Sequence, residues 1–216
     1  VIMRSRVAAA VLVIGLAVGG CAKPDFQYIA QTPGSSGAGQ VFFKVPSEWT
    51  QFSASQITAA QSGWSTDSTA KNLLAATVWQ SAFDASASPS LTNVLGTRTP
   101  DQPTVFASLR NLYSQETPTD AALRDMIVPI STFGSSVQID RDEKVSQGGA
   151  HGVHVVISYR SATDQMAETL DQTALLNGAK NAVYVLIVRC SSECYNKNRE
   201  SISAVTGSFT IQEGHH

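Results

Sequence analysis

Residues 182–188 read Ala-Val-Tyr-Val-Leu-Ile-Val, an unbroken apolar run that is rich in β-branched and aromatic side chains. A short run that is apolar at every position is typical of a strand buried on both faces. Gly178 and Asn181 precede the run and favour a turn before it. The pattern therefore predicts the central strand of a sheet.

A helix and a short last strand are predicted to follow this central strand. Ser191 or Ser192 can cap the helix, because a serine hydroxyl accepts a hydrogen bond from a backbone N–H of the first helical turn. The inner stripe of the helix is predicted to consist of Tyr195, Ile202 and Val205. Gly207 then ends the helix, and residues 208–211 have the composition of a strand.

The N-terminus has the pattern of a bacterial secretory signal. Arg4 and Arg6 precede an apolar stretch over residues 7–18, which is shorter than the roughly 20 residues that a membrane span needs. The run Leu16-Ala17-Val18-Gly19-Gly20-Cys21 ends in small residues and a cysteine, as lipoprotein cleavage sites do. The pattern predicts a signal peptide over residues 1–20, with an ordinary secretory signal as the alternative.

Cys21 is the predicted lipidation site. Two or three acyl chains on this residue hold a protein at a membrane for long times, whereas one chain gives only weak binding. The predicted location is the extracytoplasmic face of the bacterial cell membrane. Residues 21–40 contain prolines, glycines and serines and are predicted to form a flexible linker. A single domain over residues 41–212 and a tail over residues 213–216 complete the predicted organisation.

Cys190 and Cys194 are the two cysteines that remain if Cys21 is lipidated. In an oxidising compartment they are predicted to form a disulfide between the central strand and the helix. The alternatives are a redox pair or two thiolate ligands of a metal. The C-x3-C spacing differs from the redox motif C-x-x-C, and no second ligand pair with the spacing of a zinc site accompanies it.

The remaining elements are predicted from apolar alternation and turn residues. Strands are predicted at residues 41–45, 73–83, 104–112, 136–146, 152–160 and 166–176, and helices at about 55–61 and 117–128. The second helix is expected to begin with Thr117 as its cap and Pro118 at its first position. Together, these strands and helices predict an α+β fold, with a mostly antiparallel sheet of about seven strands and two or three helices packed on it.

The order of these elements resembles a known fold. The strand over residues 41–45 followed by Pro46-Ser47-Glu48-Trp49, and the run over residues 182–188 followed by a helix and a last strand, are similar to the fold shared by PsbP and the Ran-binding Mog-type proteins. The plan of anchor, linker and one domain is similar to actinobacterial envelope lipoproteins of the LpqN type. The resemblance implies a non-enzymatic domain that binds other proteins or modulates an envelope assembly.

Charge argues against a nucleic-acid partner. The chain has 15 basic and 17 acidic residues and a net charge of −2, and loss of Arg4 and Arg6 with the signal makes it more negative. It has no run of basic residues with interleaved aromatics.

His151 and His154 are the histidines inside the predicted domain. Two imidazoles can bind a metal, but an odd separation along a strand sends the two side chains to opposite faces. We therefore predict no metal site and no cofactor. His215 and His216 are assigned to a terminal tail.

Ser68 and Lys71 match the S-x-x-K motif of penicillin-binding enzymes. The companion motifs Ser-Asp-Asn and Lys-Thr-Gly do not occur in the chain, so this match predicts no catalytic site.

Residues 140–144, Asp-Arg-Asp-Glu-Lys, place three carboxylates within four positions. Charges that alternate in sign are typical of a solvated edge that discourages strand pairing. No loop with calcium-binding spacing surrounds them, so we predict a solvated edge and no ion site.

The favoured function is that of a lipid-anchored accessory protein of the cell envelope, which binds proteins and has no enzymatic activity. The ligand-binding residues are left unassigned. A carrier or sensor of a hydrophobic envelope molecule is the alternative, and an apolar cavity between helices and sheet would favour it. An envelope hydrolase is a third hypothesis, which a buried Ser-His pair would favour.

Overall fold

The computed structural model describes residues 25–32, 39–64, 68–116, 118–126, 128–130 and 136–213, without the side chains of residues 63, 64 and 68–70. The predicted signal peptide, Cys21, and residues 214–216 of the predicted tail lie outside the described residues.

In this part of the chain the strands follow the predicted order closely. They are β1 (Phe26–Gln31), β2 (Gln40–Pro46), β3 (Thr50–Phe52), β4 (Thr77–Asp84), β5 (Thr104–Asn111), β6 (Val137–Gln147), β7 (Ala150–Arg160), β8 (Ala167–Leu176), β9 (Ala182–Ser191) and β10 (Thr210–Gln212). The helices are α1 (Ala54–Trp64), α2 (Ser68–Ala76), α3 (Leu91–Leu95), α4 (Asp120–Arg124), α5 (Ser192–Lys197) and α6 (Arg199–Thr206). Within the described residues, none of these helices is long and apolar enough to cross a membrane.

Seven strands form one antiparallel sheet in the order β3-β4-β5-β9-β8-β7-β6. The strand β9 lies in the middle, between β5 and β8, and residues 182–188 are all buried. The α+β fold class and the central strand are confirmed. A second sheet of three strands, in the order β1-β2-β10, was not predicted as separate.

The two faces of the large sheet carry different cores. On one face, alternate residues of β5 and β9, such as Val105 and Leu186, lie in a cluster with Phe43 of β2 and with Ile202 and Val205 of α6. On the other face, Leu123 of α4 lies in a cluster of side chains from β7, β8 and β9. Each face is thus covered by different elements, and β9 contributes to both cores.

The predicted strand over residues 73–83 is wrong in its first part. Residues 68–76 form helix α2, and β4 begins only at Thr77. The segment Lys71-Asn72-Leu73-Leu74-Ala75-Ala76 is rich in helix formers, and the Thr77 hydroxyl donates to the Leu73 carbonyl at 3.0 Å over the last turn. The apolar side chains of this segment also suit the start of a strand, because a short apolar run does not distinguish a helix from a strand.

The predicted helix over residues 117–128 is also wrong in its bounds. The helix α4 spans only Asp120–Arg124, and its cap is Thr119, whose hydroxyl accepts a hydrogen bond from the Ala122 N–H at 3.2 Å. Thr117, the predicted cap, lies outside the described residues. Thr119 directly precedes the acidic first-turn residue Asp120 and therefore competes well as a cap.

The single helix predicted after the central strand is two helices. They meet at Asn198, whose side-chain amide donates to the Cys194 carbonyl at 2.9 Å and satisfies the end of α5. Ser191 is the cap of α5, as one of the two predicted alternatives, and its hydroxyl accepts from the Cys194 N–H at 3.2 Å. Cys190 and Cys194 form the predicted disulfide, with Cα atoms 6.0 Å apart.

The predicted linker over residues 21–40 is wrong for residues 26–31. These form β1, an edge strand that pairs antiparallel with β2 along its whole length. Ile29 is buried in the core, whereas Tyr28 is exposed. The apolar residues Phe26, Tyr28 and Ile29 are flanked by Pro24 and by the Pro-Gly-Ser cluster that begins at Pro33, and these flanks favour a linker over a strand.

Candidate functional site

Two depressions lie on opposite faces of the large sheet and toward opposite ends of it. The first, here called the polar groove, has a volume of about 870 Å³ and lies between β6–β8 and helices α5 and α6. The second, here called the apolar cleft, has a volume of about 730 Å³ and lies between α1, α2 and strands β4, β5 and β9. Both volumes are within the range of small-ligand sites.

A chain of four polar side chains crosses the polar groove. Glu143 of β6 lies 3.3 Å from His154 Nδ1, and His154 Nε2 lies 2.7 Å from Asp171 Oδ1 on β8. The hydroxyl of Tyr195 on α5 donates to Asp171 Oδ2 at 2.7 Å. The chain therefore links the edge strand of the sheet to the helix above it.

This environment changes the protonation of His154. Burial by itself lowers the pKa of the imidazole, but the hydrogen bond and charge of Asp171, together with Glu143, outweigh it and raise the pKa above its ordinary 6.5. Burial and the Asp171 carboxylate also raise the pKa of Tyr195, which stays a neutral hydrogen-bond donor. Asp171 is itself 3% exposed, so its charge is held inside the protein by two donors.

A second chain of polar groups runs parallel to the first. The Ser158 hydroxyl donates to Asp140 at 2.7 Å and lies 3.1 Å from the Thr169 hydroxyl, its partner in the strand register. Thr169 in turn donates to Ser192 at 2.9 Å. These hydroxyls are engaged with one another and with a carboxylate, and no hydrogen bond among the described residues joins them to His154.

The acidic segment over residues 140–144 lies on the exposed edge strand β6, as predicted. The register of β6 against β7 shifts between Ile139 and Arg141, which changes the side chains that face the groove. Arg141 and Glu143 line the groove. Their neighbours Asp142 and Lys144 instead form ion pairs with residues of α4.

The two histidines of the domain are not brought together. His151 and His154 lie on an uninterrupted ladder with β8, three residues apart, so their side chains point to opposite faces. His154 faces the groove, whereas His151 lies on the opposite face of β7. Among the described residues, no group of three or more His, Cys, Asp or Glu side chains is arranged to hold a metal ion.

The S-x-x-K match lies on helix α2. Lys71 is exposed and lines the apolar cleft. The side chain of Ser68 is outside the described residues.

The apolar cleft has a hydrophobic floor and wall. Its apolar lining includes Leu73, Leu74, Phe106, Met126, Val185 and Ile187. A few polar groups interrupt it, among them Gln80, whose side-chain amide donates to Thr58 at 2.9 Å, and Gln61, whose buried Oε1 has no partner among the described residues. Such a surface suits an apolar ligand with a small polar part.

None of the binding residues of either site is predicted from the sequence. Tyr195 was assigned to the inner stripe of a helix, although its hydroxyl points into the groove. The polar alternation Thr169, Asp171 and Thr173 on one face of β8 was a usable signal, because a strand that packs against a core on both faces would have apolar residues there. The cleft gave no such signal, since its wall α2 was predicted as a strand.

The comparisons with known proteins concern the fold. No protein-family model and no curated protein sequence matches the chain. Among solved structures, the chain is similar to LpqN of Mycobacterium tuberculosis, described as involved in cell envelope biogenesis, with 15% identity over 87% of this chain and 91% of that chain and a TM-score of 0.50. At these identities the likeness shows a shared fold, and the protein is thus of the α+β class to which that structure belongs.

Two further structures are similar at lower TM-scores. The cyanobacterial PsbP of Synechocystis sp. PCC 6803 is 13% identical over 89% of this chain and 96% of that chain, with a TM-score of 0.48. The Ran-binding protein Mog1p of Saccharomyces cerevisiae is 7% identical over 88% of this chain and 97% of that chain, with a TM-score of 0.47.

Proposed function

We propose that this chain is a lipid-anchored protein of the bacterial cell envelope that binds other envelope proteins and has no catalytic activity. The run that ends at Cys21 supports the anchor and the extracytoplasmic location. The similarity of the fold to LpqN, a protein described as involved in cell envelope biogenesis, supports the envelope role.

The polar groove is the observation on which the binding role depends. It is large, it is lined by charges of both signs, and Tyr195, Arg141 and Arg199 are among its lining residues. Tyrosine and arginine are enriched at the centres of protein interfaces. A groove of this composition suits a polar segment of a partner protein.

The arrangement of acids, bases and hydroxyls supports a role without catalysis. Both ring nitrogens of His154 face carboxylates, so neither is directed at a hydroxyl as a general base would be. The hydroxyls of Ser158 and Thr169 belong to the separate chain that begins at Asp140.

The anchor is tested with Cys21→Ser in cells. Serine cannot form the thioether, so we expect the protein to leave the membrane fraction or to accumulate as the uncleaved precursor. The measurement is fractionation with intact-mass analysis. Unchanged mass and membrane retention of the variant would contradict the proposed anchor.

Partner binding is tested by affinity capture of the anchored full chain from cross-linked membranes. We expect the double variant Arg141→Glu, Arg199→Glu to lose the captured proteins, because it reverses two charges at the groove. Arg98→Glu changes an exposed arginine that does not line the groove and serves as the matched control. Equal capture by all three proteins would reject the groove as the binding surface.

A second function, carriage or sensing of a hydrophobic envelope molecule, is favoured by the apolar cleft. The cleft lies between helices and sheet, where such a cavity is expected in a carrier. It is tested by extracting the anchored protein from membranes and identifying bound lipids by mass spectrometry. The absence of any lipid above the level found with Ser108→Trp, a variant that fills the cleft, would count against this function.

A further inference from the structure

The charged side chains that line the apolar cleft are of one sign, and the Glu116 carboxylate, which is ion-paired with Arg110 at 2.8 Å, lies outside the lining. Lys71 and Arg110 are among its described lining residues, and no acidic residue is. The polar groove, in contrast, is lined by both signs. In a chain with a net charge of −2, an apolar site whose charged lining is only cationic is selective for the charge of what it binds.

The helix that carries Lys71 is held at the Arg110 end of the cleft. Arg110 is near the end of β5, and the chain continues from it to Tyr113. The Tyr113 hydroxyl donates to the carbonyl of Asn72 at 2.7 Å, and Asn72 follows Lys71 directly on α2. Thr77, which directly follows α2, also lies opposite Arg110 in the register of β4 and β5. Both contacts hold α2, the helix that carries Lys71, at the Arg110 end of β5.

The apolar floor extends away from this cationic end. Phe106, Ser108 and Arg110 are alternate residues of β5 and line the cleft in that order. Four residues of strand cover about 13 Å. On the other wall, Leu74 lies one helical turn after Lys71, so the ammonium and the apolar lining share one side of α2.

The guanidinium of Arg110 keeps capacity for a ligand. It donates from Nη1 to Glu116 at 2.8 Å and to the Asn111 carbonyl at 3.4 Å. These two bonds, the ones described for its side chain, both use Nη1. The guanidinium has donors on two further nitrogens, and an anion can accept from them in a forked geometry.

We propose that the apolar cleft binds the chain of an amphiphile with an anionic head group, and that Lys71 and Arg110 bind this head group. The inference rests on the carrier function proposed above and names its ligand class. The apolar floor supplies the affinity through burial of methylenes. The cations supply the selection, since a neutral head group accepts only weaker hydrogen bonds from them than an anion does.

The test compares dodecanoate with dodecan-1-ol, which share a chain and differ in head-group charge. Each displaces the neutral probe N-phenyl-1-naphthylamine from the full chain carrying Cys21→Ser, which prevents acylation, at pH 8. We expect dodecanoate to bind about tenfold more tightly than the alcohol. The double variant Lys71→Gln, Arg110→Gln should lose this preference and keep its affinity for dodecan-1-ol.

The controls separate the head-group inference from the carrier function. Lys197→Gln removes an exposed cation outside the cleft and should keep the preference. Ser108→Trp fills the cleft and should weaken both ligands. Leu74→Trp fills it from the other wall without adding a charge and replaces the first variant if that one fails to fold. Equal affinities of the two ligands, unchanged in the double variant, would overturn the inference about the anionic head group and leave the carrier. Failure of both ligands to displace the probe from folded protein would overturn both.

Discussion

The polar groove and the apolar cleft lie on the same sheet but differ in whether their side chains have partners within the protein. In the groove, Glu143, His154, Asp171 and Tyr195 satisfy one another in an unbroken chain of hydrogen bonds. In the cleft, apolar side chains such as Leu73 stay partly exposed. Polar groups in the groove therefore contribute to stability, whereas apolar groups in the cleft remain available to a ligand.

The difference follows from what covers each end of the sheet. Helix α5 is tied to β9 through the Cys190–Cys194 disulfide, and this short connection holds Tyr195 above Asp171. Helices α1 and α2 belong to a longer excursion between β3 and β4 and leave space over Phe106 and Ile187. In this protein, the helix with the short, disulfide-linked connection covers the polar groove. The helices in the longer connection leave the apolar cleft open.

The largest expected effect is at the centre of the groove. Asp171→Ala should lower the free energy of unfolding by about 3 kcal/mol, because it leaves the partly buried His154 ring and the Tyr195 hydroxyl without their shared acceptor. Asp171→Asn is the matched control and should cost less, since its carbonyl still accepts one bond. Urea unfolding measures both, and equal stability of Asp171→Ala and the parent protein would show that the chain of bonds contributes nothing.

The disulfide should have the next largest effect. Replacing Cys190 and Cys194 together with alanine should lower the free energy of unfolding by about 2 kcal/mol, the chain-entropy value for so small a loop. It should also loosen α5 and with it Tyr195. Thermal unfolding with and without reductant measures this effect. Reductant should destabilise only the parent protein, and an equal response of the two proteins would contradict the prediction.

The pH dependence of the groove should be smaller. The pKa of His154 is raised in the folded protein, so the stabilisation from its charged form is complete below about pH 6.5 and is lost as the pH rises through the folded-state pKa. Unfolding free energies at pH 6 and pH 8 should show this loss, and His154→Gln should remove it. Burial and the charge of Arg141 lower the pKa of His154, whereas Asp171 and Glu143 raise it. An NMR titration that places the pKa of His154 below 6.5 would contradict this assignment.

The smallest expected effect is in the cleft. Leu73 is 41% exposed, so Leu73→Ser should change the free energy of unfolding by no more than about 0.5 kcal/mol. The same change should weaken binding of an apolar ligand. Urea unfolding and probe displacement measured on one sample check both statements. A large loss of stability would show that Leu73 belongs to the core and that the cleft is not free for a ligand.

The local sequence pattern was sufficient to predict an element when all residues of that element lie in the same environment. Residues 182–188 are apolar throughout, and such a run has few alternatives to a central strand. The segment over residues 73–83 changes from helix to strand at Thr77, and apolar content alone did not show the change. The strand β1 depends on pairing with β2, which is a long-range property of the folded chain.

The α+β class, the central strand, the pairing of Cys190 with Cys194 and the opposite orientations of His151 and His154 were predictable without a structure. Each of them depends on local periodicity or on a count of residues. Only the folded structure shows that Asp171 of β8 and Tyr195 of α5 are hydrogen-bonded, and that Lys71 and Arg110 both line one apolar cleft. Those juxtapositions join residues far apart in the chain, and no periodicity within a segment encodes where another segment will pack.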